Sequence, residues 1–197
     1  SQITHLIPES VSLVYVRQKA PRGLGDAILC AKDVVGNNPF AVLLADDIVD
    51  SVEPCLVGML DRFQETQSSV LAVERVPREA TDQYGIVSVD GKENRICSIV
   101  EKPVPEKAPS TLGVIGRYVL TPEVFSFLES IEPGIGGELQ LTDAIAQLLI
   151  KENVTAFEFN GRRFDCGSKQ GFLQATLAYA MKRPELRDTI SEFVEGY

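Results

Sequence analysis

Positive charge is scarce in this sequence. Its 28 acidic residues outnumber its 19 basic residues, and the formal net charge is -9. A chain with this balance has no general positive field to attract nucleic acid or an anionic membrane. We therefore expect neither as a partner, and any phosphate group must be held locally by a few cations or by a metal ion.

Histidine is nearly absent as well. The single histidine, His5, lies close to the start of the chain. One histidine in that position cannot complete a Ser/His/Asp set, so we exclude a hydrolase of that type and interpret His5 as a surface residue.

Cysteine pairs and long apolar runs are also missing. The four cysteines, Cys30, Cys55, Cys97 and Cys166, lie far apart and form no C-x-x-C motif. This spacing is typical of buried free thiols in a cytoplasmic protein. No apolar stretch reaches the length of a membrane span, so we expect no membrane partner.

The residues that are present predict an α/β protein. A chain of 197 residues with 44% hydrophobic residues can bury the core of one domain, here residues 1–197. Strand-like runs at Ser12–Gln18, Phe40–Leu44 and Ser69–Val76 alternate with segments of helical spacing. This alternation favours a Rossmann-like, mixed but mainly parallel sheet flanked by helices, with Phe40–Leu44 buried on both faces.

The second half of the chain changes pattern. Two alternating runs around Asp90-Gly91 predict an antiparallel hairpin, and later strands are predicted in "TLGVIGRYVL" and "VTAFEF". A long helix is predicted from Lys169 towards Arg183. An apolar stripe repeats along it at helical spacing, which favours a core face over an interface. The stripe consists of Leu173, Leu177, Ala180 and Met181.

Four short motifs carry candidate chemistry. "LLADD" places Asp46 just past a strand, where a carboxylate could bind a divalent cation, although a solvated acidic turn explains the motif as well. "QKAPRGLGDAI" allows close backbone approach to a flat ring or a sugar, or is a plain turn. "VEKP" offers Glu101 for hydroxyls and Lys102 for a phosphate, or an exposed ion pair. "FDCG" offers Asp165 as a ligand, or as a cap for the following helix.

Taken in order, a set of stretches resembles one family, the bacterial UTP–glucose-1-phosphate uridylyltransferases, from about Val14 to Arg187. These stretches are "VRQKAPRGLGDAI", "PFAVLLADD", "YGIV", "VEKP", "IGRYVLTPEVF", "GGELQLTDAI" and "DCGSKQGFLQA". The resemblance implies a sugar-nucleotide pyrophosphorylase that makes UDP-glucose and pyrophosphate from UTP and glucose 1-phosphate with Mg²⁺. It also implies a cytoplasmic homo-oligomer.

The resemblance implies roles for particular residues on the nucleotide and metal side. Gln18 and Gly23 match positions that read the uracil ring. Asp46 matches the aspartate that binds the catalytic Mg²⁺, and Asp165 matches a second metal contact in related thymidylyltransferases.

On the sugar side, Gly85 and Glu101 match positions that hold the glucose hydroxyls, and Lys102 matches the lysine at the sugar phosphate. The implied catalytic residues are therefore Asp46 and Lys102. In-line attack of a phosphate oxygen on phosphorus needs alignment and charge neutralisation, which a metal ion and a lysine can supply.

Three features depart from the family pattern. Asp26 stands where family members often have His, and Ala45 where they often have Pro. No glycine-rich G-x-G-T-R loop precedes Ser12, so we expect a chain truncated at its N-terminus, without the first strand and phosphate loop, and with reduced or no activity. Two alternatives stay open: a thymidylyl- or cytidylyltransferase of the same fold, and a non-catalytic module that binds sugar nucleotides.

Overall fold

The computed structural model describes residues 8, 10–91 and 93–196 of the chain. His5 lies outside the described residues. None of the helices described has the length and apolar character that crossing a membrane requires.

Strands and helices alternate along most of the described chain. The strands are β1 (Phe40–Leu43), β2 (Asp47–Asp50), β3 (Ser69–Arg75), β4 (Gly85–Val89), β5 (Ile96–Glu101), β6 (Leu112–Leu120), β7 (Val154–Glu158) and β8 (Arg162–Asp165). The helices are α1 (Leu24–Leu29), α2 (Lys32–Val35), α3 (Cys55–Thr66), α4 (Val124–Ser130), α5 (Leu141–Lys151), α6 (Lys169–Met181) and α7 (Pro184–Glu195).

The long strand β6 is the centre of a six-stranded sheet. The order is β5-β4-β6-β3-β7, and β1 pairs with the second half of β6. Strands β2 and β8 form a separate antiparallel ribbon, with Asp47 opposite Asp165. The mixed α/β class is therefore confirmed, and so is the antiparallel hairpin, which is formed by β4 and β5.

Both faces of the sheet are covered, and strand alternation divides the core in two. Along β3, Leu71 and Val73 pack into a large cluster with α4 and α5. The alternate residues Val70 and Ala72 pack into a smaller cluster with Met59 of α3. Because successive side chains of a strand point to opposite faces, one apolar run supplies both clusters.

Three predictions about the strands are wrong. Among the described strands of the large sheet, only the β3–β7 pair is parallel, because β6 runs antiparallel to β1, β3 and β4. Ser12–Gln18 forms no strand and Tyr15 is 90% exposed, since none of the described strands pairs with this segment. Strand β1 is buried on one face only, with Ala41 and Leu43 exposed.

The apolar stripe on α6 is not a core face. Leu173, Leu177 and Met181 are all exposed, and the buried positions of the helix are Gly171 and Ala175. The small residues face the ribbon because there is no room for larger ones: a Cβ on Gly171 would lie 1.9 Å from the Asp165 carbonyl oxygen. The interpretation of the stripe as an interface stays a prediction.

Two substitutions on helix α5 test how much the larger cluster stabilises the chain. Leu148 is fully buried in it, whereas Ile150 on the same helix is 79% exposed. We expect Leu148→Ala to lower the free energy of unfolding by about 2–5 kcal/mol, because it removes buried methyl groups and leaves a cavity. The control Ile150→Ala should change it by less than about 0.5 kcal/mol. Urea denaturation of both variants measures the difference, and equal losses would contradict the assignment of the core.

Candidate active site

A cleft of about 300 Å³ opens where the β4–β5 hairpin, the β2–β8 ribbon and the start of α5 meet. Its wall contains four of the residues that the sequence singled out: Gly85, Glu101, Lys102 and Asp165. These residues come from distant parts of the chain, and the folded sheet brings them together. Gln18, Gly23 and Asp46 are not in the wall; they lie beside it.

Glu101 is held in a fixed orientation at the end of β5. Its Oε2 accepts a hydrogen bond of 3.0 Å from the Thr142 hydroxyl in the first turn of α5. Its Oε1 lies 3.7 Å from the Lys102 ammonium nitrogen. Gly85 is the residue opposite Glu101 in the β4–β5 ladder, and a Cβ there would come within 2.8 Å of Thr142. The glycine therefore leaves the floor of the cleft open beside a carboxylate.

Lys102 adopts a backbone conformation that non-glycine residues seldom use. Its φ is 44°, in the left-handed region, and its N–H donates to the Tyr84 carbonyl at 2.9 Å. Such strain costs about 1–3 kcal/mol and persists where the surroundings impose it. In Lys102 this backbone conformation turns the chain at the end of β5, and the lysine lines the cleft.

Two carboxylates converge at the end of the β2–β8 ribbon. The backbone N–H of Cys166 donates to the Asp46 carbonyl at 2.7 Å, which places Asp46 beside Asp165. A Cβ on Gly167 would lie 3.1 Å from Oδ1 of Asp165 and 3.1 Å from Oδ2 of Asp46. The glycine thus leaves room where the two carboxylates approach each other.

This pair of carboxylates fits a magnesium ion. Mg²⁺ prefers oxygen ligands and is usually held by one or two carboxylates, with waters and substrate phosphates as its other ligands. The described residues contain no group of three or more His, Cys, Asp or Glu side chains arranged for a metal. Asp46 and Asp165 could therefore hold the ion only together with a bound phosphate and water.

Asp47 also lines the cleft, but its carboxylate is bonded to groups of the protein. It is 5% exposed; its Oδ2 accepts from the Gly116 N–H at 2.6 Å, and its Oδ1 pairs with the Arg163 guanidinium. Arg163 also donates to Glu74 at 3.0 Å and to the Tyr84 hydroxyl at 3.2 Å. One oxygen of Asp47 thus bonds to the sheet at Gly116, and the other holds Arg163 of the same ribbon, which in turn contacts Glu74 on the sheet.

The charges in this cluster stabilise one another. Burial by itself would lower the pKa of the Arg163 guanidinium, but the hydrogen bond and charge of Asp47 outweigh it and hold the pKa above its ordinary value. Tyr118 lies in the wall of the cleft, where burial first, and then the negative charges of Glu101 and Asp47, raise the pKa of its hydroxyl. The tyrosine is therefore neutral and can donate a hydrogen bond.

The turn between β1 and β2 is held by Arg117 of β6. Its guanidinium donates to the Leu44 carbonyl at 3.0 Å and also to the Asp47 carbonyl. These two bonds span the position of Asp46 on both sides. The carboxylate of Asp46 is consequently carried by a turn with a fixed backbone.

A glycine loop precedes α1 and is attached to the segment before α5. The Gly25 N–H donates to the Leu139 carbonyl at 2.9 Å, and the Leu139 N–H donates to the Arg22 carbonyl at 2.8 Å. Gly23 has a φ of 91°, and a Cβ there would lie 2.9 Å from the Cβ of Glu138. The loop therefore requires glycine for its conformation and for this close approach.

Gln18 lies beside this loop. Its Nε2 donates to the Gly23 carbonyl at 3.2 Å and to Asp26 Oδ2 at 2.7 Å. Asp26 also pairs with Arg22 at 2.9 Å. No hydrogen bond within the described part of the chain uses the Gln18 Oε1 or the Gly23 N–H.

Sequence reasoning did not identify Arg163, Tyr118 or Thr142 as parts of this region. A weak signal existed for Arg163, because it and Asp165 are two residues apart on a strand and so share a face. Nothing in the sequence links either residue to Asp47, which is 116 positions away from Arg163.

Curated proteins with similar sequences share one name. The curated UTP--glucose-1-phosphate uridylyltransferase of Bacillus subtilis is 47% identical over 185 residues, covering 92% of this chain and 63% of that protein. A Staphylococcus epidermidis protein of the same name is 46% identical over 187 residues, with 93% and 65% covered. The chain thus spans a little under two thirds of the length of these curated relatives.

Solved structures of similar proteins superpose on this chain. A UDP-glucose pyrophosphorylase complexed with UDP-glucose superposes with a TM-score of 0.83 at 43% identity, over 86% of this chain and 66% of that one. A UTP-bound UGPase from Acinetobacter baumannii superposes with a TM-score of 0.87 at 42% identity, over 98% and 68%.

The model of one protein family, described as nucleotidyl transferase, matches residues 1–182. This match extends over nearly the whole chain and includes every element that lines the cleft. The chain therefore belongs to the nucleotidyl transferase family.

Proposed function

We propose that this chain carries the active site of a Mg²⁺-dependent UTP–glucose-1-phosphate uridylyltransferase, which makes UDP-glucose and pyrophosphate from UTP and glucose 1-phosphate. The observation that carries the proposal is that one cleft combines Glu101, Lys102 and Asp165. These residues supply a carboxylate for sugar hydroxyls, a cation for a phosphate and a carboxylate for a metal. The relatives named for this reaction support the choice of substrates.

The sugar phosphate is expected to bind along β5. Glu101 is oriented by Thr142 and can accept hydrogen bonds from two glucose hydroxyls, and the open face of Gly85 makes room for the ring. The Lys102 ammonium group is next to Glu101 and would pair with the sugar phosphate. This pairing aligns a phosphate oxygen for attack and offsets its charge.

The nucleotide is expected to lie across the glycine loop. The Gln18 Oε1 can accept a hydrogen bond and the Gly23 N–H can donate one, which matches the alternating groups on the imide edge of uracil. In the reaction, an oxygen of the sugar phosphate bonds to the α-phosphorus of UTP. The bond from that phosphorus to the bridging oxygen breaks, and pyrophosphate leaves with the electron pair.

Asp46 and Asp165 would hold a Mg²⁺ ion, which, when bound, offsets the negative charge of the phosphate oxygens. The two carboxylates suit this role because they converge over Gly167 and are exposed, unlike Asp47. Asp165 also lies 3.9 Å from Arg163, the partner of Asp47. The part of the two carboxylates in the reaction is to fix the position of that charge relative to Lys102.

We also propose a cytoplasmic location and a homo-oligomer. All four cysteines are free thiols, which supports a reducing compartment, although Cys97 is exposed rather than buried. The exposed apolar residues Leu173 and Leu177 on α6 support association between copies.

The reaction itself is tested by incubating the protein expressed from its complete gene with glucose 1-phosphate, Mg²⁺ and each of UTP, dTTP and CTP. We expect pyrophosphate release and UDP-glucose formation with UTP. Faster turnover with dTTP or CTP would favour the thymidylyl- or cytidylyltransferase alternative. Binding of UDP-glucose without turnover of any nucleotide would favour the non-catalytic module.

The two adjacent aspartates should behave differently when changed. We expect Asp46→Asn to weaken Mn²⁺ or Mg²⁺ binding in the presence of UTP and to abolish metal-dependent turnover, with little effect on stability. Asp47→Asn should instead lower the free energy of unfolding by about 1.5–3 kcal/mol, because it removes the charge that Arg163 contacts most closely and leaves it with Glu74 and Asp165 as charged partners. Metal titration calorimetry and urea denaturation of both variants measure these effects. A stable Asp47→Asn protein that no longer binds metal would reverse the assignment.

Lys102 should act on the sugar phosphate rather than on UTP. We expect Lys102→Ala to lower kcat/KM for glucose 1-phosphate about ten- to a hundredfold, since a charge-assisted hydrogen bond contributes about 1.5–3 kcal/mol. Lys107 is exposed five residues further along, and Lys107→Ala is the matched control, with no expected change. If Lys102→Ala altered only the dependence on UTP, the lysine would belong to the nucleotide side.

A further inference from the structure

The side-chain amide of Gln18 has its orientation fixed by its two partners. A carboxylate oxygen and a backbone carbonyl oxygen can only accept hydrogen bonds, so the amide atom 2.7 Å from Asp26 and 3.2 Å from the Gly23 carbonyl must be the nitrogen. Both amide hydrogens are thereby used, and the carbonyl oxygen Oε1 is turned away from them. Gln18 can therefore offer its free end to a ligand only as an acceptor.

Asp26 is the stronger of these two partners, and its own position is fixed. It is 7% exposed in the first turn of α1, and the next bond along the loop, from the Gly25 N–H to the Leu139 carbonyl, holds that turn in place. Its second oxygen, Oδ1, is used by Arg22, whose side chain is 63% exposed. An ion pair to an exposed arginine adds little, so the bond to Gln18 is the main role left for this buried carboxylate.

We infer that Asp26 is a positioning residue for base selection: by holding the Gln18 amide with Oε1 outward, it makes the site select a pyrimidine that presents a ring N–H and reject one that presents a ring nitrogen acceptor. This inference rests on the proposed function, which places the base beside Gln18 and Gly23. Uracil and thymine have an N–H at ring position 3, whereas cytosine has a lone pair there. Oε1 attracts the former and repels the latter.

Rotation of the amide would let Gln18 donate to cytosine, and Asp26, with the Gly23 carbonyl as the weaker second acceptor, opposes it. A rotated amide would direct Oε1 at the carboxylate of Asp26 and at the Gly23 carbonyl, so that three oxygen acceptors would face one another without a hydrogen. Discrimination of this kind is strong because the wrong ligand leaves polar groups unpaired. A glutamine without such a partner could turn its amide and would accept either base.

The test compares kcat/KM for UTP and CTP in the protein expressed from its complete gene. The parent should prefer UTP. We expect Asp26→Leu to reduce that preference about tenfold or more, through KM for the two nucleotides and with kcat for UTP and the KM for glucose 1-phosphate unchanged. Asp26→Ala, a change to the best helix former, gives the same comparison if the leucine variant does not fold.

Two further variants separate positioning from general damage. Asp26→Asn keeps the shape of the side chain, but its amide can donate to Gln18 as well as accept from it, so it permits the rotated amide and should lose preference for UTP as Asp26→Ala does. Asp33→Ala removes an exposed aspartate from the next helix, α2, and should change nothing. Retention of the parent's full preference in Asp26→Asn would mean that a partner able only to accept is not needed, and would overturn the inference.

The outcomes also distinguish the inference from the proposed function. A parent protein that makes UDP-glucose, with variants Asp26→Leu and Asp26→Ala that keep its full preference for UTP, would overturn the inference alone. A parent protein that makes no UDP-glucose and binds no uridine nucleotide would overturn both.

Discussion

The buried ion pair between Asp47 and Arg163 is the interaction on which the site depends. It joins the β2–β8 ribbon to the central sheet, through the Gly116 N–H on β6 and through Glu74 on β3. A buried charge pair gives less net stability than its short contacts suggest, because both ions lose their hydration. Its main effect here is geometric. Asp46 directly precedes Asp47 in the turn before β2, and Asp165 follows Arg163 by two residues on β8, so the positions of both carboxylates follow from the pair.

The central strand β6 relates this ribbon to the rest of the cleft. Its first half pairs with β4 of the hairpin that carries Gly85, and its second half pairs with β1, which leads into the turn of Asp46. Arg117 and Tyr118, in the middle of the strand, face in opposite directions as strand neighbours must. Arg117 donates to the carbonyls of the turn that carries Asp46, and Tyr118 lies in the cleft wall.

Local patterns in the sequence predicted the elements better than their arrangement. The turn Asp90-Gly91 identified the β4–β5 hairpin, and the short motif "VEKP" placed Glu101 and Lys102 correctly at a strand end. The prediction of mainly parallel strands was wrong because the pairing depends on β6, which pairs with strands far from it in the chain. The segment Ser12–Gln18 has strand-like residues, but a strand requires a partner, and propensity gives no information about one. The Asp47–Arg163 pair could not be predicted for the same reason, since its members are distant in sequence.

The start of α5 supports both halves of the cleft at once. Leu139, two residues before the helix, holds the glycine loop, and Thr142, in its first turn, holds Glu101. A ligand that draws the loop inward would thus act on the same short segment that orients the carboxylate. Coupling between two binding sites is reciprocal in free energy, so any gain in affinity for the proposed sugar phosphate that the proposed nucleotide produces must equal the gain in nucleotide affinity that the sugar phosphate produces. The four residues Leu139–Thr142 are the segment of this fold through which such coupling would act.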